Sequence, residues 1–274
     1  MARYSLDDLL YLMGRLRDPQ TGCPWDLKQS FATIVPHTLE EAYEVADTIE
    51  RQDWDHLQSE LGDLLFQVIF YAQLGKEEQR FEFEGIVDTL IDKLIRRHPH
   101  VFPEGTLRSV RSGEVPDDAE IKATWEAIKQ QERNAQDMSP VPESRVLDDI
   151  PHALPALNRA DKLQKRAAQV GFDWGDPLPV LDKIEEEIAE LREAIASGDK
   201  LEMEHELGDL LFAQVNLARH LQINPETALR YTNNKFTNRF QYIEDRVRES
   251  GKQWQQFSLD ELDCWWDEAK SKGI

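Results

Sequence analysis

Along this chain apolar residues return every three or four positions with charged residues between them, and period-2 alternation is scarce. Leu181, Ile184, Ile188, Leu191 and Ile195 form one stripe, and Met203, Leu207, Leu210, Gln214, Leu217 and Leu221 trace a second. Pro177 and Pro179 precede the first stripe and Ser197-Gly198-Asp199 separates the two, as expected of a helix start and a helical hairpin. The pattern predicts an all-α protein. From Asn134 to Pro155 the periodicity lapses and four prolines occur. Residues 134–150 are therefore assigned to a linker between a domain at 1–133 and a second at 151–274.

The two domains are copies of one another. ELGDLLF stands at Glu60 to Phe66 and again at Glu206 to Phe212. Glu41, Glu44, Glu60 and Asp63 each recur 146 positions later, as Glu187, Glu190, Glu206 and Asp209. Flanking landmarks follow in the same order at slightly different offsets: Gly22-Cys23-Pro24-Trp25 with Gly171-Phe172-Asp173-Trp174, Lys93 and Arg97 with Lys235 and Arg239, Trp125 and Lys129 with Trp266 and Lys270.

A helix places residues three apart on one face, so Glu41 with Glu44 and Glu60 with Asp63 each present two carboxylates side by side. Two such helices packed antiparallel bring four together, and charges of one sign that close repel by several kcal/mol unless a cation fills the gap. A lone ExxD is usually a solvated helix shoulder. A quartet kept at identical spacing in both copies is not explained by solvation, and oxygen-only ligands point to Mg²⁺, with Mn²⁺ as the alternative.

The balance of 32 Lys plus Arg against 53 Asp plus Glu gives a formal charge of -21, which disfavours nucleic acid and anionic membrane as partners. Any phosphate-bearing ligand needs a local cation or a metal. Two cysteines, Cys23 and Cys264, form neither a disulfide framework nor a zinc pattern and fit a reducing cytoplasm. The N-terminal segment is amphipathic and acidic, unlike an export signal, and no run approaches the ~20 apolar residues of a membrane span.

EEAYE at Glu40 to Glu44 with ELGD at Glu60 to Asp63, and EEIAE at Glu186 to Glu190 with ELGD at Glu206 to Asp209, resemble the EExxE and ExxD signature of the MazG nucleoside triphosphate pyrophosphohydrolases. The resemblance covers nearly the whole chain. It implies two tandem helical domains, four-helix-bundle-like, and Mg²⁺-dependent hydrolysis of a nucleoside triphosphate between its α and β phosphates. Glu187, Glu190, Glu206 and Asp209, with Glu41, Glu44, Glu60 and Asp63, are then the metal ligands. Glu40 and Glu186, the first acids of each EExxE, are candidates to accept a proton or to hold a second metal. An apolar stripe on both sides of each helix pair calls for a homodimer to complete each bundle.

For the triphosphate, Lys235 and Arg239 lie at i and i+4 on one helical face. Lys183 lies one turn before Glu187, where the first copy has His37, and Lys200 falls in the turn between the acidic helices. Lys93 and Arg97 compete evenly with a solvated face, since Pro99 ends their helix. Trp266 with Lys270, and Trp125 with Lys129, pair a stacking surface with a cation, against the plainer role of core packing. Most of the seven tryptophans are expected in the core, with Trp25 and Trp174 as core or loop anchors.

A di-iron bundle needs two Glu-x-x-His pairs. Glu202 with His205 supplies one, but Ser59 occupies the corresponding place in the first half. A nucleotide-sensing module without turnover in one or both halves is the other reading. The fixed cations of the second half favour it as the principal catalyst.

Overall fold

The computed structural model describes residues 3–111, 113, 116–136 and 145–274. Among them are ten α-helices, two short 3-10 turns and no strand. The chain divides into two compact units, Met1–Ser139 and Pro140–Ile274. The first holds α1 (Leu6–Leu16), α2 (Phe31–Glu50), α3 (Trp54–Glu77), α4 (Phe83–Arg97) and α5 (Asp118–Gln136). The second repeats that order with α6 (Ala156–Gln169), α7 (Leu178–Ser197), α8 (Lys200–His220), α9 (Pro225–Ser250) and α10 (Leu259–Ser271).

Local chemistry sets the helix ends. Ser30 and Thr33 close a capping box on α2, Asp53 accepts from the His56 amide at the head of α3, and Asp199 accepts from the Leu201 amide at the head of α8. The hairpin turns differ between copies. α7 ends on Gly198 at φ 77°, whereas the corresponding Gln52 adopts φ 56° with a full side chain in the left-handed region. Asp199 starts a helix whose first residue is Lys200, so Lys200 belongs to α8 and not to the turn in which the sequence placed it.

In each unit the acid-bearing pair, α2 with α3 and α7 with α8, makes the most extensive helix contact. The first helix of each unit, α1 or α6, leans on the second member of that pair. In the first unit Met13, Ile34, Ile69, Phe70 and Leu74 form a closed core, packed by Leu9, Leu10, Phe31 and Phe66. In the second unit the buried side chains of α7 and α8 are smaller or polar: Val180, Glu187, Ala194, Ala213, Val215 and Asn216.

Three expectations are corrected. The stripes read from the sequence are half exposed in the chain, with Leu181, Ile195, Leu207 and Leu221 all on the surface, because α7 and α8 are apolar on more than one face and bury a different one. None of the seven tryptophans is buried; Trp25, Trp54, Trp125, Trp174 and Trp254 are exposed and Trp265 and Trp266 half-buried. The expected linker begins later than residue 134, since Asn134, Ala135 and Gln136 extend α5 and none of them breaks a helix. Its residues 137–144 lie outside the described residues.

Candidate functional site

Antiparallel packing of α2 on α3 carries one carboxylate oxygen each of Glu41, Glu60 and Asp63 to within 4.8 Å of one another. Glu44 stands beside both Glu41 and Glu60. Partial burial, and then the charges of Asp63, Glu44 and Glu40, push the Glu41 carboxyl above its ordinary range. Glu60 is raised by partial removal from water and by Glu44 and Asp63. The Gln67 amide donates to Glu41 at 3.4 Å. Glu40 points outward, with His37 Nδ1 at 3.7 Å.

In the second unit Glu187, Glu190 and Glu206 come within 4.8 Å of one another, so Glu190, the counterpart of Glu44, takes the place that Asp63 holds in the first. Burial and the neighbouring acids, Glu187 foremost, raise Glu190. Here a cation is built in: Lys183 Nζ lies 2.8 Å from Glu187 and 2.7 Å from Glu186. Both acids hold the lysine firmly protonated, above its ordinary range. Such all-oxygen donor sets suit a hard divalent ion, whose opposite ligands stand about 4.2 Å apart at ~2.1 Å bonds, so a small side-chain adjustment closes either triad around one.

Glu187, Lys183 and Asp209 also line a cavity of about 730 Å³ inside the second unit. Its other walls are Gln164 of α6, Phe172, Asp173 and Trp174 of the loop before α7, Val180 of α7, and Phe212, Ala213, Asn216 and Arg219 of α8. Gly171 turns that loop at φ 88°. Asp173 then fixes it to α8, accepting Arg219 Nη1 at 2.9 Å and Nη2 more closely, with His220 Nε2 at 3.2 Å. Burial opposes ionisation of Asp173, but Arg219's hydrogen bonds and charge outweigh it and hold the carboxyl below its usual range.

Sequence reasoning left Trp174 as a core or loop anchor and missed Gln164, Phe172, Asn216 and Arg219. The repeat itself carried the signal. At the cavity wall Phe70, Gln67 and Gln73 of the first copy correspond to Asn216, Ala213 and Arg219 of the second.

The other expected substrate groups sit on different helices. Lys235 and Arg239 are on α9 and Trp266 and Lys270 on α10, which packs against it. Arg239 lies over the Trp266 ring, 5.5 Å from its centroid, and donates to the Ile274 carbonyl at 2.8 Å. Trp266 also meets Phe236, and Lys270 pairs with Asp267 at 2.8 Å. Lys235 is exposed on α9 and Lys200 on α8. In the first unit, α4 ends at Arg97, two residues before Pro99, and Arg97 Nη2 is paired with Glu132 of α5 at 2.6 Å. Lys93 is half-buried on α4, Trp125 on α5 meets the His98 ring at 5.9 Å, and the Lys129 side chain lies outside the described residues.

Comparison with known proteins bears on both units. The family model of the MazG nucleotide pyrophosphohydrolase domain matches twice, over residues 29–102 and 176–243, spanning both acid-bearing helix pairs. The chain is 48% identical over 274 residues to the nucleoside triphosphate pyrophosphohydrolase of Escherichia coli K12, covering 98% of each protein. It is 40% identical over 264 residues to the nucleoside triphosphate pyrophosphohydrolase/pyrophosphatase MazG of Thermotoga maritima, covering 96% of this chain and 95% of that one.

Proposed function

Because the chain belongs to the MazG nucleotide pyrophosphohydrolase family, we propose that it hydrolyses nucleoside triphosphates between the α and β phosphates, with Mg²⁺, to the monophosphate and pyrophosphate. It is a hydrolase of acid anhydrides, and the second unit is the principal site of turnover. The observation that supports this assignment most is the Glu187–Glu190–Glu206 triad, joined to Lys183 on the wall of a cavity large enough for a nucleoside.

A divalent cation held there by Glu187, Glu190, Glu206 and Asp209 would polarise phosphoryl oxygens and acidify bound water. Lys183 contributes a second positive charge at the same place, shared between Glu187 and the incoming phosphates. Glu186, 2.7 Å from Lys183, remains outside the triad to accept the proton released by water. Phe172 and Trp174 supply aromatic surface for the nucleoside, a role the sequence assigned to Trp266. Trp266, already in contact with Phe236 and Arg239, is held within the α9–α10 pair.

Each acid-bearing pair also leaves an apolar face open: Leu61 and Leu65 on α3, Leu207 and Leu211 on α8. A Cβ at mid-helix Gly62 or Gly208 would meet nothing within 4 Å in this chain. A second copy packed on these faces gives both the leucines and the glycines a purpose, so the working form is a homodimer.

Products from several NTPs with Mg²⁺ test the activity, and the expected pair is monophosphate and pyrophosphate. Orthophosphate as the primary product overturns the α–β cleavage. Light scattering tests the assembly: twice the 31.8 kDa chain mass is expected, and a single chain mass overturns it.

A further inference from the structure

The loop between α6 and α7, residues 170–177, brings two aromatic side chains to the second-unit cavity, and one residue between them secures it. Phe172 is 82% exposed and Trp174 44% exposed. Among the described residues, Asp173 is the one side chain of this loop that bonds to α6 or α8. Its Oδ2 accepts Arg219 Nη1 at 2.9 Å; its Oδ1 accepts Nη2 and the Trp174 amide, the latter at 3.0 Å, with His220 Nε2 at 3.2 Å. Arg219 is held from its other side, donating Nη2 at 2.7 Å and Nε at 3.1 Å to Asn216 Oδ1. A guanidinium fork engaged on two partners has one orientation, so the bridge fixes the angle of the loop as well as its distance.

The first unit ties its own loop with the charges exchanged. Arg17, at the end of α1, pairs with Glu77 of α3 at 2.6 Å, donates to the Gln29 carbonyl at 3.3 Å and lies 5.3 Å from the centre of the Phe70 ring. That clamp closes on a packed core, whereas the Asp173–Arg219 clamp closes on a cavity.

We propose that Asp173 and Arg219 are positioning residues for the hydrolysis: their bridge holds the loop where Phe172 and Trp174 wall the cavity that Lys183 and Glu187 also line, and so sets the affinity for the nucleotide. This rests on the pyrophosphohydrolase reading above. The bridge acts on binding and not on the chemical step, because the acid triad and Lys183 stand on α7 and α8 and not on the loop. Released from α8, the loop samples other arrangements, and apparent affinity falls in proportion to the time it spends outside the binding one.

The test measures ATP hydrolysis by the full-length protein at saturating Mg²⁺. Asp173→Ala should raise KM about tenfold, the result of a loop in place about a tenth of the time, and change kcat less than about threefold. Arg219→Met should match it, and the double variant should be no worse than either, since both break one bridge. In a background of Phe172→Ala with Trp174→Ala, adding Asp173→Ala should move KM less than about twofold, because the bridge acts through rings that are no longer there. Arg17→Met, which opens the first-unit clamp, should lower the unfolding temperature and leave KM within about twofold. Should Asp173→Ala fail to fold, Asp173→Asn keeps its shape and carries the same comparison with a smaller rise.

A fall in kcat at unchanged KM overturns the proposal, and so does a rise in KM as large without the two rings as with them. Unchanged KM in both Asp173→Ala and Arg219→Met overturns it as well. Failure of the wild type to release pyrophosphate from ATP, CTP, GTP or UTP would instead overturn the activity on which the proposal stands.

Discussion

The two units hold the same acids in the same register, and they differ in what stands behind them. Behind Glu41 lies a closed apolar core in which Phe70 and Met13 are fully buried; behind Glu187 lies a cavity walled by Gln164, Asn216 and Trp174. The substitutions that separate them fall on one surface: Ile34 to Val180, His37 to Lys183, Gln67 to Ala213, Phe70 to Asn216 and Gln73 to Arg219. Each trades bulk for space or neutrality for charge. A duplicated carboxylate cluster can therefore persist in both copies while the side chains behind it diverge.

The sharpest way to break this comparison is to remove one ligand from each triad. Glu187→Ala should lower kcat/KM on the order of 10⁴-fold, equivalent to about 5.5 kcal/mol of lost stabilisation, while Glu41→Ala in steady-state assays should cost less than about threefold. Equal losses would show that both copies turn over. Next in size is Phe70→Ala, which opens a void in the first unit; about 3–5 kcal/mol of its stability should vanish, read as a shift of the first unfolding transition in urea, with most of the hydrolysis retained. Lys183→Met removes the built-in cation, and KM for the triphosphate should rise between about tenfold and a hundredfold, against less than about twofold for His37→Ala. The smallest effect concerns the hairpin turns. Gln52→Gly relieves a left-handed residue and should stabilise the first unit by about 0.5–1 kcal/mol in thermal unfolding, whereas Gly198→Ala should destabilise the second by about the same amount.

Helical content and the repeat were legible because both are written in spacing: a 3.6-residue period and a constant offset survive without any knowledge of packing. Spacing singled out the eight acids in the same way, and the structure brings Glu41, Glu60 and Asp63 together in one unit and Glu187, Glu190 and Glu206 in the other. Burial was harder to read, since α7 and α8 are apolar on several faces, and periodicity alone does not say which face its own unit covers and which stays open. Trp174, read as a core or loop anchor, stands in the loop that Asp173 ties to Arg219, with its ring half open at a cavity. Arg97, weighed evenly between a phosphate contact and a solvated face, pairs in the fold with Glu132, an acid whose partner depends on how α5 docks on α4.

Burial, and after it the crowding of neighbouring acids, makes Glu41, Glu60 and Glu190 each harder to ionise in the fold than in the unfolded chain. A carboxyl raised in this way favours the fold below its unfolded-state pKa of about 4.3 and loses that contribution as pH rises through its higher folded value. At neutral pH the mutual repulsion of these acids is thus a standing strain on the fold, and on the acidic side the clusters act as a store of protons. Any cation that occupies them must expel those protons. Its binding heat will then vary with the ionisation enthalpy of the buffer, its apparent affinity will weaken as the solution is acidified, and loading the sites at neutral pH will raise the melting temperature more than the same loading near pH 5.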